Sequence, residues 1–146
     1  MPLVTIDIRI LHAGDASLLE RVADDVFDLP LDAALSAEFL RDPRHHLAVA
    51  IDGDVLVGMA SAVHYVHPDK RPQLFINEVG VASSHQGLGI GRRLLDALLD
   101  RGRSLGCSEA WVLTDENNSI ARRLYAGAGG QANSEPAIMY TFPLSY

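Results

Sequence analysis

The sequence predicts a mixed α/β fold with one central sheet and helices on both faces. Two observations lead to this prediction. The chain has 146 residues, of which 48% are hydrophobic and 21% charged, so it is long enough for one ordinary globular domain. Segments with the period of strands alternate along the whole chain with segments that have helical spacing. We therefore predict a single domain over residues 1–146.

The first half of the chain predicts a strand, two helices and a hairpin. Val4 to Ile10 alternates apolar and polar residues, as a half-buried strand does. Asp15 is a candidate N-cap for a helix that ends at Leu29-Pro30, and a shorter helix is predicted over 32–41. Apolar residues expected to face the core are Leu18, Leu19, Val22, Val26 and Phe27 in the first helix and Leu35, Phe39 and Leu40 in the second. Two strands, His46–Ile51 and Val55–Val66, flank the turn Asp52-Gly53-Asp54.

The second half predicts three more strands and two more helices. An apolar strand over 74–82 is interrupted by Asn77, Glu78 and Gly80. The further predicted elements are a glycine-rich turn at 86–91, a helix from there to Leu105 that stops at Gly106, a buried strand over 110–114, a helix over 118–126 and a last strand over 138–142.

The net charge of −7 lies entirely in one segment. Residues 7–54 hold 11 acidic and four basic residues, whereas the remainder of the chain is balanced. Such a segment repels nucleic acid and anionic membranes and attracts cations, so neither a nucleic acid nor a membrane is expected as a partner. The alternative is that solvated helix faces are simply rich in acids.

Cysteine and histidine usage argues against thiol and metal chemistry. Cys107 is the only cysteine, so no intrachain disulfide can form, and a reducing cytoplasm is the expected compartment. The N-terminus lacks a signal-like apolar core, and no run approaches the roughly 20 apolar residues of a membrane span. The histidines lack metal-ligand spacing, and Ser83-Ser84-His85 is not a triad signature, so no metal and no acyl-enzyme are expected.

The glycine-rich turn is the segment most indicative of function. It joins a strand to a helix and has glycines at Gly87, Gly89 and Gly91. Helix N-termini expose backbone N–H groups, and glycine lets an anionic ligand approach them closely, so the turn suits phosphate. Arg92 stands where a Walker loop needs lysine and a dinucleotide fingerprint needs glycine, which excludes both. A helix entry with purely structural glycines is the alternative.

The spacing Gln-x-x-Gly-x-Gly of Gln86, Gly89 and Gly91 resembles the acetyl-CoA signature of the GNAT superfamily of N-acetyltransferases. The segment Asn118 to Tyr125, followed by Gly129, resembles a second pattern of that family, and the order of elements along nearly the whole chain also fits. Gly130 departs from the family, which usually has an aromatic residue there, and we expect looser local packing as a result.

The resemblance implies a site for acetyl-CoA where the fourth and fifth strands splay apart. The turn and Arg92 would hold the pyrophosphate, Val79 and Val81 would pair with the pantetheine arm, and Asn118 and Tyr125 would lie near the thioester. The residues implied in cosubstrate binding are Val79, Val81, Gln86, Gly87, Leu88, Gly89, Ile90, Gly91, Arg92, Asn118 and Tyr125. The family reaction is direct attack by an amine in a ternary complex, and the resemblance favours a homodimer.

Two side chains suit the proton transfers of this reaction. Glu78 interrupts an apolar strand beside the residues that would pair with pantetheine, so it is the candidate base for the amine. The resemblance places Tyr125 at the family position of the acid that protonates the leaving thiolate. A phenol of pKa about 10 can donate a proton to the thiolate of a thiol whose pKa is about 8.5. The backbone N–H of Val79 is a candidate donor to the thioester oxygen. The alternative for Glu78 is a partly exposed strand residue with no catalytic role, and the alternative for Tyr125 is an aromatic residue that only packs under the sheet.

The acceptor is predicted to be a small polycation. Tyr65-Val66-His67-Pro68 and the strand 76–81 resemble the type I aminoglycoside 3-N-acetyltransferases, a narrower group within the superfamily. The candidate acceptor-binding residues are Asp24, Asp25, Asp28, Tyr65, Glu78, Asp115 and Glu116, with Asp32 and Glu135 as further acids nearby. Polyamines, amino acids and protein N-termini are alternative acceptors, and a non-catalytic acyl-CoA-binding module is the alternative of another class.

Overall fold

A computed structural model describes residues 5–145 of the chain. The strands are β1 (Ile6–Ile10), β2 (His45–Asp52), β3 (Val55–Tyr65), β4 (Gln73–Val81) and β5 (Glu109–Val112). The helices are α1 (Ala33–Arg41), α2 (Ile90–Ser104) and α3 (Ser119–Gly127), with short 3₁₀ helices at Ala13–Leu19 and Ser83–His85. No helix among the described residues is long and apolar enough to cross a membrane.

The strands form one mixed sheet in the order β1-β2-β3-β4-β5. Neighbours are antiparallel from β1 to β4, whereas β5 is parallel to β4. The helix α2 covers one face of the sheet. Its Leu94 and Ile90 side chains lie within 3.1 and 3.2 Å of the position that a Cβ on Gly58 of β3 would occupy. On the opposite face, α1 packs on β2, where the Phe39 ring stacks on His45 at a centroid distance of 4.9 Å. The predicted α/β class, with helices on both faces, is confirmed.

β4 and β5 pair over only part of their length. Gln73–Ile76 pairs with Glu109–Val112, and residues 77–81 of β4 have no partner on that side among residues 5–145. The backbone N–H and C=O groups of this stretch that point away from β3 are therefore free to bond an extended ligand. The splay that the family resemblance implied is present.

The predicted first helix is wrong beyond its first turns. The N-cap is His12 and not Asp15, which lies at the third position of the helix and accepts a hydrogen bond from the His12 N–H at 2.8 Å. Only the 3₁₀ helix Ala13–Leu19 follows. The chain then pairs with β3, since the Leu56 N–H donates to the Arg21 carbonyl at 2.8 Å and the Leu56 carbonyl accepts from the Ala23 N–H at 2.9 Å. Residues 20–31 therefore form a loop on the sheet, which begins with this short pairing of Arg21 and Ala23 to Leu56.

Three further predictions are wrong: the burial of Leu35, the burial of β5 and the strand over 138–142. Leu35 is 65% exposed, because α1 directs Phe39 and Leu40 toward the core instead. β5 is half-exposed or exposed throughout, because it is an edge strand. Residues 138–142 form no strand, and Val4 lies outside the described residues.

A buried histidine pair makes stability depend on pH. His46 is 3% exposed, and its Nε2 lies 2.7 Å from Nδ1 of His64. Burial, and then the neighbouring charge of His64, lower the pKa of His46 to about 4, and burial also lowers the pKa of His64.

We therefore expect the free energy of unfolding to fall as the pH falls from about 6.5 to about 4. In that window the unfolded chain binds more protons than the folded one, and the cost is roughly 3 kcal/mol. Urea unfolding at a series of pH values measures it. His46→Leu should flatten the dependence, whereas the exposed-site control His12→Leu should not, and equal slopes in both variants would contradict the assignment.

Candidate active site

The glycine-rich turn opens α2 with its backbone exposed to solvent. Gly87 and Gly89 both have φ of +78°, a left-handed conformation that side chains rarely adopt. Gly89 is the N-cap of α2 and supplies no side-chain cap, so the first N–H groups of the helix keep their capacity to bind an anion. Gln86 fixes the turn to the end of β4, since its Nε2 donates to the Val81 carbonyl at 3.1 Å.

A polar chain fastens this turn to the β2–β3 hairpin. His85 Nε2 lies 2.7 Å from Asp52 Oδ2, and Ser84 Oγ lies 2.7 Å from His85 Nδ1. Asp52 stands 33 residues before His85 in the sequence. The sequence indicates only that Asp52 belongs to the hairpin turn. The contact orients the residue immediately before the turn and thereby holds the turn against the sheet.

The two arginines after the turn are bound within the protein. Arg92 contacts Asp96 through Nε at 3.1 Å and donates from Nη1 to the Gly127 carbonyl at 2.6 Å. Arg93 donates to the Ile6 carbonyl at 3.1 Å. Arg92 thus joins α2 to the end of α3, and backbone N–H groups are the free anion-binding donors of the turn. The role of Arg92 at the pyrophosphate stays a prediction.

A β-bulge determines the direction of Glu78. Ile76 pairs with Ala62 and Glu78 with Ser61, so Asn77 is an extra residue opposite β3. Without the extra residue, Ile76 and Glu78 would lie on the same face of the sheet, because side chains alternate with period two. With it, Ile76 lies on the face covered by α2, and Glu78 lies exposed on the opposite face.

The loop 20–31 covers part of the face on which Glu78 lies. Gly80 is two residues beyond Glu78 on that face, and a Cβ there would collide with the Val26 carbonyl oxygen. This close approach requires glycine. Asp25 has φ of +67°, and Ser83 Oγ donates to its Oδ2 at 3.2 Å. The loop is therefore held against both β4 and the residues that lead into the turn.

This loop, together with α1, lines a cavity of about 880 Å³. Both apolar and acidic residues line it. Its acidic lining residues are Glu20, Asp24, Asp25 and Asp28. The three predicted aspartates thus share one cavity, and Glu20 is an addition that helical spacing could not single out. Four carboxylates around one cavity attract cations.

Tyr125 lies on α3, which packs beside the splayed part of β4. A Cβ on Gly91 would lie 3.6 Å from Leu124 and 4.0 Å from Val79, so α2, α3 and β4 meet here. Tyr125 is half-buried, and this burial raises the pKa of its phenol. The hydroxyl therefore stays protonated at neutral pH and is able to donate a proton.

Gly130 packs more tightly than expected. Its N–H donates to the Tyr125 carbonyl at 2.9 Å, and a Cβ would approach that same oxygen to 2.9 Å. The expectation that glycine loosens the packing at this position is wrong, because the close contact has no room for a side chain.

The remaining predicted site residues have other positions and contacts. The Asn118 side chain caps α3, accepting from Ala121 N–H at 3.0 Å. Asp115 and Glu116 lie exposed in the loop before α3. Tyr65 pairs with Gln73 at the far end of β4, five residues from Glu78, and its ring meets His67 at 5.0 Å. Among residues 5–145, no three His, Cys, Asp or Glu side chains are grouped as a metal site requires.

Comparison with known proteins places these features in a family. Residues 15–129 match the model of the acetyltransferase (GNAT) family. N-alpha-acetyltransferase RimI of Mycobacterium tuberculosis is 32% identical over 86% of this chain and 78% of its own length. Streptothricin acetyltransferase of Streptomyces lavendulae is 38% identical over 60% of the chain.

The coverage of several relatives is partial. The match spans 44% of streptothricin acetyltransferase and 30% of L-2,4-diaminobutyric acid acetyltransferase of Marinococcus halophilus, which is 43% identical over 36% of this chain. These two similarities therefore concern a part of each enzyme.

Solved structures share the fold at low identity. An aminoglycoside acetyltransferase from an uncultured soil metagenomic sample, in complex with sisomicin, has a TM-score of 0.79 at 19% identity and covers 96% of this chain and 97% of its own. Aminoglycoside N-acetyltransferase AAC(6')-Iy, in complex with CoA, has a TM-score of 0.76 at 22% identity and covers 97% of both chains.

Proposed function

The chain belongs to the GNAT family of acetyltransferases, and we propose that it transfers the acetyl group of acetyl-CoA to an amine of a small polycation. An aminoglycoside is the first candidate acceptor, and its 3-N position is the proposed site of acetylation. One observation carries the choice of a polycation. Four acidic residues of the loop 20–31 line one cavity. Val26 of the same loop lies against Gly80, on the face of β4 on which Glu78 lies.

The residues present fit acetyl-CoA in two ways. The turn 86–91 offers backbone N–H groups and two left-handed glycines to a pyrophosphate. The unpaired stretch 77–81 of β4 offers backbone partners to an extended amide-containing arm, with Val79 and Val81 at its centre. Acetyl-CoA supplies an acyl group activated as a thioester.

The proton transfers are assigned to two side chains. The acceptor amine forms the new C–N bond as the C–S bond breaks. Glu78 takes the proton that the amine loses, directly or through one water, and Tyr125 gives its phenolic proton to the departing sulfur. The N–H of Val79 donates to the thioester oxygen, on which negative charge develops.

Glu78→Gln tests the base. The exchange keeps the shape of the side chain and removes its basicity, so we expect kcat/KM to fall about 100-fold, the low end of general base catalysis. The acidic limb of the pH profile of kcat/KM should also move or vanish. An unaltered profile would mean that the limb reports the ionisation of the acceptor amine alone.

Neutralising the cavity tests the polycation. We expect Asp24→Asn, Asp25→Asn and Asp28→Asn together to raise the acceptor KM about 10-fold, since three exposed charge pairs of about 0.5 kcal/mol each are lost. Asparagine also tolerates the positive φ of residue 25. The matched control is Glu38→Gln, Asp69→Asn and Asp100→Asn, which removes the same charge outside the cavity lining.

Salt gives an independent measurement of the same attraction. The acceptor KM should rise with ionic strength in the wild type and rise less in the cavity variant, because the Debye length is about 10 Å at 0.1 M. Equal KM values in the cavity and control variants would mean that the aspartates form only a solvated surface.

A thiol-release screen with acetyl-CoA tests the function itself. We expect turnover with a gentamicin-like aminoglycoside and compare it with spermidine, 2,4-diaminobutyrate and a peptide with a free N-terminus. The similarity to RimI over 86% of the chain makes a protein N-terminal amine the second candidate acceptor. Acetylation of the peptide alone would overturn the polycation assignment, and binding of acetyl-CoA without turnover on any amine would indicate a non-catalytic module.

We further propose that the protein acts as a homodimer in the cytoplasm. The proposed location in the cytoplasm rests on the presence of a single cysteine, Cys107. The proposed dimer rests on the family resemblance.

A further inference from the structure

The helix α3, which carries Tyr125, is held to the rest of the protein by few contacts. None of its side chains is fully buried. Leu124 and Tyr125 are the residues of α3 that pack, partly buried, against the core. Among residues 5–145, a single hydrogen bond joins α3 to another helix or to a strand, and Arg92 of α2 donates it. The position of α3 therefore depends on Arg92.

The guanidinium of Arg92 bridges the two helices. Its Nη1 donates to the Gly127 carbonyl at 2.6 Å, and its Nε lies 3.1 and 3.2 Å from the two carboxylate oxygens of Asp96. The carbonyls of the last turn of a helix have no partner within the helix and form the negative end of its dipole. The last turn of α3 contains no basic residue of its own. Arg92 supplies the missing positive donor from α2, and Asp96, one turn further along α2, fixes its direction.

We propose that Arg92 is a positioning residue for the general acid and that Asp96 assists it. Arg92 follows the turn 86–91 directly, whereas Gly127 lies two residues after Tyr125 on α3. The bond between them fixes the helix that carries the acid relative to the turn that is proposed to hold the pyrophosphate. The role given to Arg92 rests on the proposed function, in which acetyl-CoA binds at the turn and Tyr125 protonates its sulfur.

The length of the cosubstrate makes the position of α3 matter. Acetyl-CoA would be held at its pyrophosphate and react at its other end, so the phenol reaches the sulfur only if α3 lies at the right distance from the turn. A misplacement of about 1 Å can lower a rate about 100-fold. The guanidinium of Arg92 is already bonded to Asp96 and Gly127, and the backbone N–H groups of the turn remain for an anion. These contacts favour an effect of Arg92 on catalysis over an effect on cosubstrate binding.

A double-mutant cycle tests whether Arg92 acts through Tyr125. Arg92→Met should lower kcat about 10-fold at saturating acetyl-CoA and acceptor, and leave the Kd for acetyl-CoA nearly unchanged. Arg92→Lys keeps a donor for the Gly127 carbonyl and should restore most of kcat. In the Tyr125→Phe background, Arg92→Met should have no further effect, because the group that it positions is gone. Effects on kcat that multiply would overturn the role of Arg92. A raised Kd with wild-type kcat would also overturn it and would assign Arg92 to the pyrophosphate.

Hydrogen exchange tests the position of α3 without turnover. In the protein free of acetyl-CoA, Arg92→Met should speed the amide exchange of residues 119–127 about 10-fold. The matched control is Arg103→Met, which removes an arginine of the same helix whose ion pair with Asp100, at 2.7 Å, lies within α2. Equal exchange in the two variants would overturn the role of Arg92.

The same variants separate this role from the proposed function. If Tyr125→Phe turns over at the wild-type rate, the acid of the proposed function fails, and the role of Arg92 fails with it. If Tyr125→Phe is slow and the two effects on kcat multiply, only the role of Arg92 fails. Should Arg92→Met not fold, Asp96→Ala, which removes the group that directs Arg92, takes its place in both measurements with the same expected results.

Discussion

Replacing Gly89 by glutamate should lower the affinity for acetyl-CoA at least about 100-fold. The N-cap of α2 contributes only backbone to the turn, and a carboxylate there would stand where the pyrophosphate is proposed to bind. Repulsion between like charges at such a contact costs several kcal/mol, and about 2.7 kcal/mol corresponds to 100-fold. The measurement is isothermal titration calorimetry with acetyl-CoA.

Gly106→Glu is a matched control for this variant. Gly106 has the same φ of +78° as Gly89, and a Cβ at either glycine meets no atom within 4 Å. Both substitutions therefore impose the same backbone strain, but Gly106 lies at the opposite end of α2. Affinity should be lost only in Gly89→Glu. Equal affinity in the two variants, both shown to be folded by circular dichroism, would remove the turn from the cosubstrate site.

Tyr125→Phe should lower kcat about 100-fold and leave the affinity for acetyl-CoA nearly unchanged. A general acid acts only as the C–S bond breaks, so its loss affects the transition state and not the ground state. Because burial raises the pKa of Tyr125, the phenol stays protonated throughout the neutral range. On the alkaline side of the pH profile, wild-type kcat should therefore fall only where the phenol ionises.

The control for the hydroxyl group is Tyr140→Phe, which removes the same atom from an exposed tyrosine outside the site. Turnover must be limited by chemistry, which the absence of a solvent-viscosity effect on kcat would establish. If Tyr125→Phe then turns over at the wild-type rate, Tyr125 is only a packing residue, and another group or water protonates the sulfur.

Much of the glycine-rich turn and its surroundings could be predicted from the sequence. Gly87 and Gly89 have positive φ values, which favour glycine, and Gly89 is also one of the glycines of the Gln-x-x-Gly-x-Gly spacing. The hairpin around Gly53 and the helix α2 were also predicted, because turn residues and the spacing of apolar residues are local signals in the sequence. The sequence shows the interruption of β4 at Asn77 and Glu78, and the pairing with β3 identifies it as a bulge.

Other parts of the site depend on contacts between distant residues. Apolar residues at helical spacing after Asp15 predicted a helix, but the backbone of Arg21 and Ala23 bonds to Leu56 instead. That pairing holds the loop 20–31 against β4 and gathers Asp24, Asp25 and Asp28 into one cavity. Tyr65 lies far from Glu78 along β4 because the register of β3 and β4, and not the local motif, fixes its position.

The sequence by itself determined the strands β1 to β4, the phosphate-type turn, the helix behind it and the family, because these follow from backbone conformation and from the spacing of nearby residues. Only the tertiary structure decided which face Glu78 lies on, that His85 bonds to Asp52, and that residues 138–142 form no strand. The physical reason is that a bulge reverses the alternation of a strand, and hydrogen bonds between residues 33 or more positions apart leave no periodic signal in the sequence.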